Sequence, residues 1–500
     1  MIRRLLVLIT AGAVIAGFTQ MSEPHSLAQP EPSPIVGAAD SEVKSGSTWF
    51  CPFGTAGIGD PAAGGVAAPQ NFVDIAAVTD VSVTVTAFRT QAAEDATTTV
   101  TSNLEIAANS LATFDVGALA DGGATVEISG GRATVAQRLV ADNRSDQADC
   151  VSEAATAAYF ASARTDEGAT AQLWLTNPFP TDASVDLRIT GNDGVRQPGP
   201  FRGLIVPARS SRLVDLSTPG GAELREQFAI AAEARSGRIV AGLSQTVSGK
   251  GLRITSGVQR PADTWVLPYS FTGAEVDEKV WIYNPGESDA SVLISVMPQG
   301  VPAEMLPEPF TREIPARRYE VIDLPAEGRL PTVDLRWLQV EELTGSGVVV
   351  NHVVSLNGPS GDGAPNTRPA LGGGLAAQVG ASVQATEWTV TSLDSGAVGQ
   401  SVVAITNPSP ETIAVVSLTR IARSDGGEPT LVAENQEIAP LATLALDVSE
   451  IADVSVAVRV TSTTPVVVAA RTTNSAAVDF ALWSAVPVAE TASVLSSVGG

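Results

Sequence analysis

IAANSLATFD, the stretch from Ile106 to Asp115, is the first of four copies of one pattern: an apolar residue, eight further residues and an aspartate. The other copies run from Val206 to Asp215, from Ile314 to Asp323 and from Ile438 to Asp447, and no copy contains a gap. Upstream of the last three, an apolar stretch runs into Asn-Pro, at Asn177-Pro178, Asn284-Pro285 and Asn407-Pro408. The distance from Asn to Asp is 38, 39 and 40 residues. Self-similarity in a fixed order indicates a repeated structural module.

The repeat spacing and the composition together predict the fold class. Successive repeated aspartates lie 100, 108 and 124 residues apart, which suits one immunoglobulin-like domain per repeat. Valine, alanine and threonine dominate the 500 residues, and glycine and proline recur between apolar runs. Such β-branched enrichment with regular turn residues favours strands. The sequence therefore predicts an all-β chain: a tandem array, rod-like or compact, of four antiparallel immunoglobulin-like β-sandwich modules after an N-terminal export segment.

The same features divide the chain into seven parts. A signal peptide or N-terminal membrane anchor is expected at 1–28, and a disordered tether at 29–46. The modules are expected at 47–154, 155–262, 263–356 and 386–490, with a Gly/Pro-rich linker at 357–385. One strand is predicted over the repeated pattern in each of the first two modules, from Ile106 to Val116 and from Ile205 to Leu216. Each module is predicted to end in two strands joined by a short turn, such as Gly345–Gly347 in the third and Ser462–Pro465 in the fourth.

The first residues predict an extracytoplasmic location. Arg3 and Arg4 precede an uncharged apolar stretch from Leu5 to Phe18, and Ser26-Leu27-Ala28 is a candidate cleavage site. A cleaved signal peptide and an uncleaved anchor both remain open, because the apolar stretch is short for a spanning helix and the cleavage site is distant from it. Both place the modules outside the cytoplasmic membrane, since the arginines hold the N-terminus inside. The protein is therefore expected to be secreted or N-terminally anchored.

Two cysteines, Cys51 and Cys150, lie at the two ends of the first module. An even number of cysteines outside the cytosol is typical of a disulfide. The alternative, a metal-binding or catalytic thiol pair, has no neighbouring histidine. The sequence therefore predicts a disulfide between them.

The net charge excludes one class of partner. The formal charge is −24, the arginines are scattered, and only three lysines occur: Lys44, Lys250 and Lys279. Nucleic-acid binding needs phosphate-neutralising cations on one face, so no nucleic-acid partner is expected. Anionic lipid headgroups are disfavoured for the same reason. Membrane contact is expected only through the N-terminal segment.

The repeated polar residues have a structural and a functional interpretation. Four matched carboxylates could bind calcium, but each of Asp115, Asp215, Asp323 and Asp447 stands among apolar neighbours and no second ligand recurs with it. The favoured role is a strand-end aspartate that accepts backbone amides of the following turn. Asn177, Asn284 and Asn407 are likewise expected to end strands, because the proline that follows each of them cannot continue a central strand. The first module has Ile75-Ala76-Ala77 in their place, so a chemical role shared by all modules is not expected.

An aromatic residue marks the strand that opens each module. These residues are Trp49, Tyr159, Trp265 and Trp388, and a fifth similar strand carries Trp483. Five such strands for four modules suggest that this strand closes each sandwich or bridges neighbours. Coupled modules and solenoid-like packing both remain open.

The candidate catalytic residues are few. The chain has two histidines, His25 in the tether and His352 inside an apolar strand, where a structural role is the more usual one. No nucleophile elbow, metalloprotease, phosphate-loop or dinucleotide motif occurs. Glycan hydrolysis by two carboxylates stays open because it needs only two acids. The sequence therefore predicts no cofactor, no metal site and no enzyme activity, with a carboxylate-dependent glycan hydrolase as the less favoured alternative.

The whole plan resembles an uncharacterised family of actinobacterial exported or envelope proteins, a domain of unknown function built from tandem β-sandwich repeats. The residues that carry the resemblance are Thr48-Trp49-Phe50-Cys51-Pro52, the Asn-Pro strands and the repeated aspartate segments, over roughly residues 45–490. The second module departs from the pattern by opening on Tyr159. The resemblance implies export and an envelope setting, and it implies no activity for any residue.

Taken together, these features predict a non-enzymatic structural or interaction protein of the cell envelope. Its partner is expected to be an envelope protein or a glycan. The alternative is an envelope glycan-binding protein that uses a groove between modules. A pair of aromatic side chains converging on one exposed face would favour that alternative, and burial of all aromatics would remove it.

Overall fold

The computed structural model describes residues 47–56, 69–90, 99–141, 144–273, 276–301, 305–331, 333, 335–356, 374–393, 399–423, 429–452, 455–474, 479–488 and 492–495. The predicted export segment and tether lie outside these residues. Within them the chain consists of strands, with short 3₁₀ turns such as Gly199–Phe201 and Ser449–Ile451. No helix in this part of the chain has the length and apolar character needed to span a membrane.

Eight strands form the first segment of the fold. They are β1 (Ser47–Cys51), β2 (Gln70–Ala77), β3 (Val81–Phe88), β4 (Thr99–Ile106), β5 (Ser110–Asp115), β6 (Ala124–Ser129), β7 (Ala133–Ala141) and β8 (Arg144–Asp149). They pair into two antiparallel sheets, in the orders β1-β6-β3-β4 and β5-β2-β7-β8. In β3, Val81, Val83 and Val85 are buried while Ser82 is exposed, because successive side chains of a strand point to opposite faces.

The second and third segments repeat this plan. The second contains β9 (Ala157–Ala163), β10 (Ala169–Asn177), β11 (Ala183–Gly191), β12 (Gly194–Arg196), β13 (Leu204–Val206), β14 (Ser210–Asp215), β15 (Phe228–Ser236), β16 (Val240–Val247) and β17 (Gly251–Ser256). Its sheets run β9-β15-β11, with β12 and β13 beside β11, and β14-β10-β16-β17. The third contains β18 (Thr264–Ser270), β19 (Val276–Asn284), β20 (Ala290–Pro298), β21 (Phe310–Ile314), β22 (Arg318–Asp323), β23 (Arg336–Glu342), β24 (Val349–Leu356) and β25 (Gly374–Val379). Its sheets run β18-β23-β20-β21 and β22-β19-β24-β25.

The fourth segment follows the same order with one fusion. It contains β26 (Val383–Leu393), β27 (Gln400–Thr406), β28 (Ala414–Arg423), β29 (Thr430–Ile438), β30 (Thr443–Asp447), β31 (Val456–Asn474), β32 (Asp479–Ser484), β33 (Val486–Pro487) and β34 (Ala492–Val494). The first half of β31 pairs with β26 and β28, and its second half pairs with β27 and β32. One long strand therefore serves both sheets.

The turn predicted at Ser462–Pro465 is wrong, because β31 continues through these residues. In the third segment the corresponding turn between β23 and β24 contains Gly345 and Gly347 at φ 81° and 68°. Glycine adopts this left-handed backbone at little cost, and no glycine stands in the fourth copy. The range predicted as a linker also differs: β25 and the start of β26 lie inside 357–385, and the part from 357 to 373 lies outside the described residues.

The repeated pattern is two strands with a turn between them, and the prediction of one continuous strand is wrong. In the first copy β4 ends at Ile106, Asn109 has φ 53°, and β5 begins at Ser110. The same position is left-handed in the other copies, at Arg209 (φ 50°), Arg317 (φ 57°) and Leu441 (φ 55°). Arginine and leucine rarely adopt this conformation, but Asn109 does so more readily, and Pro207, Pro315 and Pro440 interrupt the other copies. These residues were signals of the turn that the prediction of a strand did not use.

The two sheets of a segment enclose an apolar core. In the second segment this core includes Phe160 and Ile230 from one sheet and Leu173 and Leu243 from the other, all at most 2% exposed. The prediction of an all-β fold of antiparallel β-sandwiches is confirmed.

The four segments are coupled through their last strands. We call β8, β17, β25 and β32 the inner strands; β8 contacts β17 and β32, and β25 contacts the same two strands. Hydrogen bonds join them: the amide of Ile254 donates to Asp146 Oδ2 (2.6 Å), and Gln378 Nε2 donates to Ser484 Oγ (3.1 Å). The contacts form a closed cycle, so the array returns to its starting point.

A second set of contacts closes the cycle at its periphery. Strand β28 of the fourth segment pairs in parallel with β5 of the first, with Ala422 opposite Ser110 and Arg423 opposite Leu111. Side chains of Ala76, Leu111, Ile421 and Ala457 form a buried cluster at this junction. Thr90 makes an equivalent parallel bridge to Ser211 between the first and second segments. The first and fourth segments, at the two ends of the repeat array, are therefore in direct contact.

Candidate functional site

The inner strands surround a cavity of about 90 Å³ that receives residues from all four segments. Its polar side chains include Gln147, Asp149, Ser256, Gln378 and Ser484, and its aromatic side chains are Trp265, Trp388 and Trp483. We call it the central cavity. A water molecule occupies roughly 30 Å³ of liquid, so the space accommodates about three waters or one small organic group.

Two of its tryptophans are fixed by the backbone. The Nε1 of Trp265 donates to the carbonyls of Val348 (2.9 Å) and Ala262 (3.2 Å), and the Nε1 of Trp388 donates to those of Val466 (2.9 Å) and Ala385 (3.0 Å). Each indole therefore bonds to the carbonyl three residues earlier and to one distant in the chain. Trp265 thereby joins β18 to the residue before β24 of the other sheet, and Trp388 joins β26 to β31, which serves both sheets.

Two polar atoms in the central cavity have no partner among the described residues. One is the Nε1 of Trp483, a side chain 5% exposed, and the other is the Oε1 of Gln378, a side chain 1% exposed. Burial also raises the pKa of the Asp149 carboxyl well above its ordinary value. The cavity thus offers one donor, one acceptor and one carboxyl group that tends toward its neutral form. Asp149 is the single carboxylate among the described residues that line it, which does not make the pair that glycan hydrolysis needs.

The two cysteines form the predicted disulfide. Cys51 ends β1 and Cys150 follows β8, at a sequence separation of 99 residues. Beside the bond, Phe50 and Val151 pair as an isolated antiparallel bridge. Equivalent bridges join Tyr159 to Val258 in the second segment and Val266 to Ala381 in the third. In each of these three segments the chain therefore crosses back after the inner strand and closes the sandwich of that segment. Trp483 lies on the inner strand β32, and it therefore belongs to the end of the fourth segment.

The four repeated aspartates are exposed and lie in separate segments. Each accepts a backbone amide of the turn that follows its strand: Asp115 from Ala118 (2.9 Å), Asp215 from Ser217 (2.9 Å), Asp323 from Ala326 (3.1 Å) and Asp447 from Ser449 (3.0 Å). Burial alone would raise the pKa of Asp447, but hydrogen bonds from Ser449 and Gln400 hold it below its ordinary value. Nothing in the described ranges brings three or more His, Cys, Asp or Glu side chains together to hold a metal ion.

The three repeated asparagines are buried and join two parts of the repeat. The Nδ2 of Asn284 donates to the carbonyls of Ser288 (2.8 Å), Ile314 (3.0 Å) and Pro315 (3.4 Å), and its Oδ1 accepts the amide of Gly286 (2.9 Å). Asn177 and Asn407 make the same four contacts in their segments. One of the three carbonyls is always the first residue of the repeated pattern: Val206, Ile314 or Ile438. The two motifs therefore recur together because they are in contact.

We expect Asn284→Ala to lower the free energy of unfolding by about 2–3 kcal/mol, since it removes several buried hydrogen bonds and leaves carbonyls without donors. Asn284→Asp should be at least as destabilising, because it keeps the acceptor for Gly286 but sets a carboxylate against three carbonyls. Asn103→Ala, at an exposed position of β4, is the control. Urea unfolding measures all three; an Asn284→Asp variant as stable as the natural protein would contradict the role assigned to the amide donor.

A second repeated aspartate did not emerge from the sequence. Asp80, Asp182 and Asp289 each directly precede a strand, and each accepts the amide two residues into the repeated pattern, from Ala108, Ala208 and Ala316 at 2.7–2.9 Å. In the fourth segment the acceptor is replaced by Ile413 and the donor by Pro440, which has no amide hydrogen. The paired loss was visible in the four aligned copies and was the signal that could have identified this contact.

His352 has a buried partner that sequence reasoning also missed. Its Nε2 lies 2.6 Å from Glu278 Oε1, and Arg336 Nη2 lies 2.7 Å from Glu278 Oε2. All three side chains are at most 2% exposed, so the group has no access to a substrate. Glu278 and Arg336 come from the two different sheets of the third segment, and their ion pair therefore ties the sandwich together.

One comparison with known proteins gives a match. A family of unknown function (DUF5719) matches residues 148–326, from the end of β8 to the turn after β22. The match covers the whole second segment and much of the third, and is narrower than the resemblance inferred from the sequence. None of the curated proteins matches the chain. The fold defines the class of the protein as a cyclic set of β-sandwiches. Part of the chain is similar to a family of unknown function, and this similarity assigns no activity.

Proposed function

We propose that this protein is a non-enzymatic structural or interaction protein of the actinobacterial cell envelope, exported and either secreted or held by its N-terminal segment. The observation that carries the proposal is the closure of the repeat array by β28 on β5 and by the inner strands. A closed array holds its outer loops and edge strands at fixed separations, as a platform for assembly requires. Independent modules on linkers would not do this.

The disulfide and the charge support the proposed location. A disulfide such as Cys51–Cys150 persists in oxidising compartments outside the cytoplasm. A formal charge of −24 favours solubility there and disfavours adhesion to anionic lipid headgroups and to nucleic acid. The proposed partner is an envelope protein or a glycan.

The proposal is tested by purifying the chain with its N-terminal segment from the native envelope and identifying bound protein and glycan by mass spectrometry. A stoichiometric protein partner is the expected result. A matched sample reduced and alkylated at Cys51 and Cys150 controls for the intact fold. Recovery of no partner from the intact protein, together with measurable turnover of an envelope glycan, would overturn the proposal.

The second candidate is a glycan-binding protein, and the central cavity is the observation that favours it. Three tryptophans and two unpartnered polar atoms in one cavity are typical of a site for a small amphipathic group. However, all seven tryptophans are buried, at 0–6% exposure, so none offers an open stacking platform. A cavity of about 90 Å³ would admit only a small substituent of a sugar. Glycan binding that Trp483→Phe weakens would support this candidate, and binding insensitive to it would place any glycan elsewhere.

A further inference from the structure

A cationic cleft lies between the second and third segments. It has a volume of about 80 Å³ and is lined by four cations, Arg164, Lys250, Arg253 and Lys279. Two carboxylates, Asp277 and the exposed Glu226, share the lining. The protein carries 30 basic against 54 acidic residues, and two of its three lysines meet here from different segments. The local charge is therefore opposite to that of the whole chain.

Two of the four cations are neutralised by carboxylates. Arg164 pairs with Asp166, and the Nζ of Lys279 lies 3.0 Å from Asp277. Asp277 also attracts Lys250, and both Asp277 and Glu226 attract Arg164, so these carboxylates offset part of the positive charge of the cleft. The remaining two cations decide the chemistry of the cleft.

Arg253 is a buried guanidinium whose described partners are neutral. Its side chain is 4% exposed, and it donates to Gln245 Oε1 (2.5 and 3.1 Å), to the carbonyl of Ser162 (3.2 Å) and to Ser162 Oγ (3.4 Å). Burial and the charge of Arg164 lower its pKa to about 10, against the attraction of the Asp146 carboxylate. The hydrogen bonds of this buried charge go to neutral acceptors, and an anion in the cleft would add a second negative charge to that of Asp146.

Lys250 lies beside it on the turn between β16 and β17, and its ammonium has no hydrogen bond or ion pair with any described residue. Partial burial lowers its pKa, as do the charges of Arg164 and Lys279, against the attraction of Asp277. Trp281 adds a donor: it is 6% exposed, stacks on Tyr319 at 5.5 Å between ring centroids, and its buried Nε1 has no partner in the described part of the chain. Among the described residues, the cleft thus holds unpartnered donors on Lys250 and Trp281, together with the exposed Glu226 carboxylate in its lining.

We propose that this cleft binds an oxyanion of the phosphate class, as a free ion or as a phosphodiester group of an envelope polymer. Lys250 and Arg253 supply the positive charge, and Trp281 supplies a neutral donor. A tetrahedral phosphoryl group presents acceptors in several directions and suits donors that come from two segments. The volume suits one such group and excludes a folded polymer. The proposal concerns a ligand site and is independent of the structural role proposed above.

Isothermal titration of the full chain with inorganic phosphate and with dimethyl phosphate tests the proposal. We expect one site per chain, weakened by added salt because the attraction is electrostatic. Lys250→Met should weaken binding by about tenfold to a hundredfold, the usual effect of losing a charged hydrogen bond. Arg202→Gln removes the same charge at an exposed position in the second segment and should leave binding unchanged.

Each outcome decides the proposal. Binding of both probes would identify a phosphodiester as an acceptable source, and binding of inorganic phosphate alone would identify the free ion; both support the site. Absence of binding of either probe at about 10 mM, which corresponds to less than about 3 kcal/mol of affinity, would overturn it. Equal binding by the natural protein and the Lys250→Met variant would also overturn it. Because Lys250 makes no contact that the fold needs, an unchanged melting temperature should show that the variant is folded.

Discussion

Replacing both Cys51 and Cys150 by alanine is expected to lower the free energy of unfolding by about 4–5 kcal/mol, the largest effect of any change discussed for this molecule. The bond spans 99 residues, so it removes a large amount of chain entropy from the unfolded state. It also fixes the point where the chain leaves β8 and returns to β1, which closes the first sandwich. Urea unfolding followed by tryptophan fluorescence measures the change, since Trp49 lies in the same strand as Cys51.

The matched control separates the crosslink from the packing. Both cysteines are fully buried, so the alanines also create small cavities. The natural protein kept reduced with a thiol has the same side-chain volumes and lacks only the bond. It should lose most of the same stability. A reduced protein that unfolds at the same urea concentration as the oxidised one would show that the bond does not stabilise the fold.

The fold of each repeat was predictable because its determinants are local. Alternation such as Val81-Ser82-Val83 sets which face of a strand is buried, and four copies of one pattern set the order of the strands. The turn inside the pattern was not predictable in the same way. Arg209, Arg317 and Leu441 adopt a left-handed backbone that their types rarely show, and the surrounding hydrogen bonds impose it.

The closed cycle could not be predicted from these patterns. A buried face looks the same in sequence whether it packs within its own sandwich or against the next segment. The pairing of β28 with β5 joins residues 312 positions apart, Ala422 and Ser110, and no local signal marks it. The inner strands contain polar residues such as Gln147 and Gln378, which alternation alone would place on a solvent face, whereas here they are buried and line the central cavity.

The contacts of the candidate sites also differ in how far the sequence could predict them. The role of the repeated aspartates follows from chemistry that acts within a few residues of the chain. The asparagines also bind distant carbonyls, as Asn284 binds that of Ile314, 30 residues away, and this part of their role was not visible in the motif. Lys250 and Lys279 were visible as two of only three lysines, but their meeting in one cleft depends on how β17 and β19 of different segments pack. Glu278 gave no signal at all, because a glutamate near the start of a strand is usually exposed.

Glu278→Gln is expected to lower the free energy of unfolding at pH 7 by about 3–5 kcal/mol, because it removes the counterion of a buried cation. The carboxylate is fully buried and bridges Arg336 on β23 and His352 on β24. Glutamine keeps the volume but leaves the Arg336 guanidinium, 2% exposed, without a negative partner. Glu313→Gln, at an exposed position of β21 in the same segment, removes the same charge and should change stability little.

The pH dependence of this difference distinguishes a lost ion pair from a packing defect. Burial raises the pKa of Glu278, but the hydrogen bond and charge of His352 and the charge of Arg336 outweigh burial and hold the pKa below its ordinary value. A carboxyl with a depressed pKa in the folded state stabilises the fold above the unfolded value of about 4.3, and this stabilisation is lost as the pH falls through the folded pKa. The natural protein should therefore lose stability below about pH 4 more steeply than Glu278→Gln, and the gap between the two should narrow. A gap of the same size at pH 7 and at about pH 3 would mean that the substitution acts through packing, and that the buried charge of Glu278 contributes nothing to holding the two sheets together.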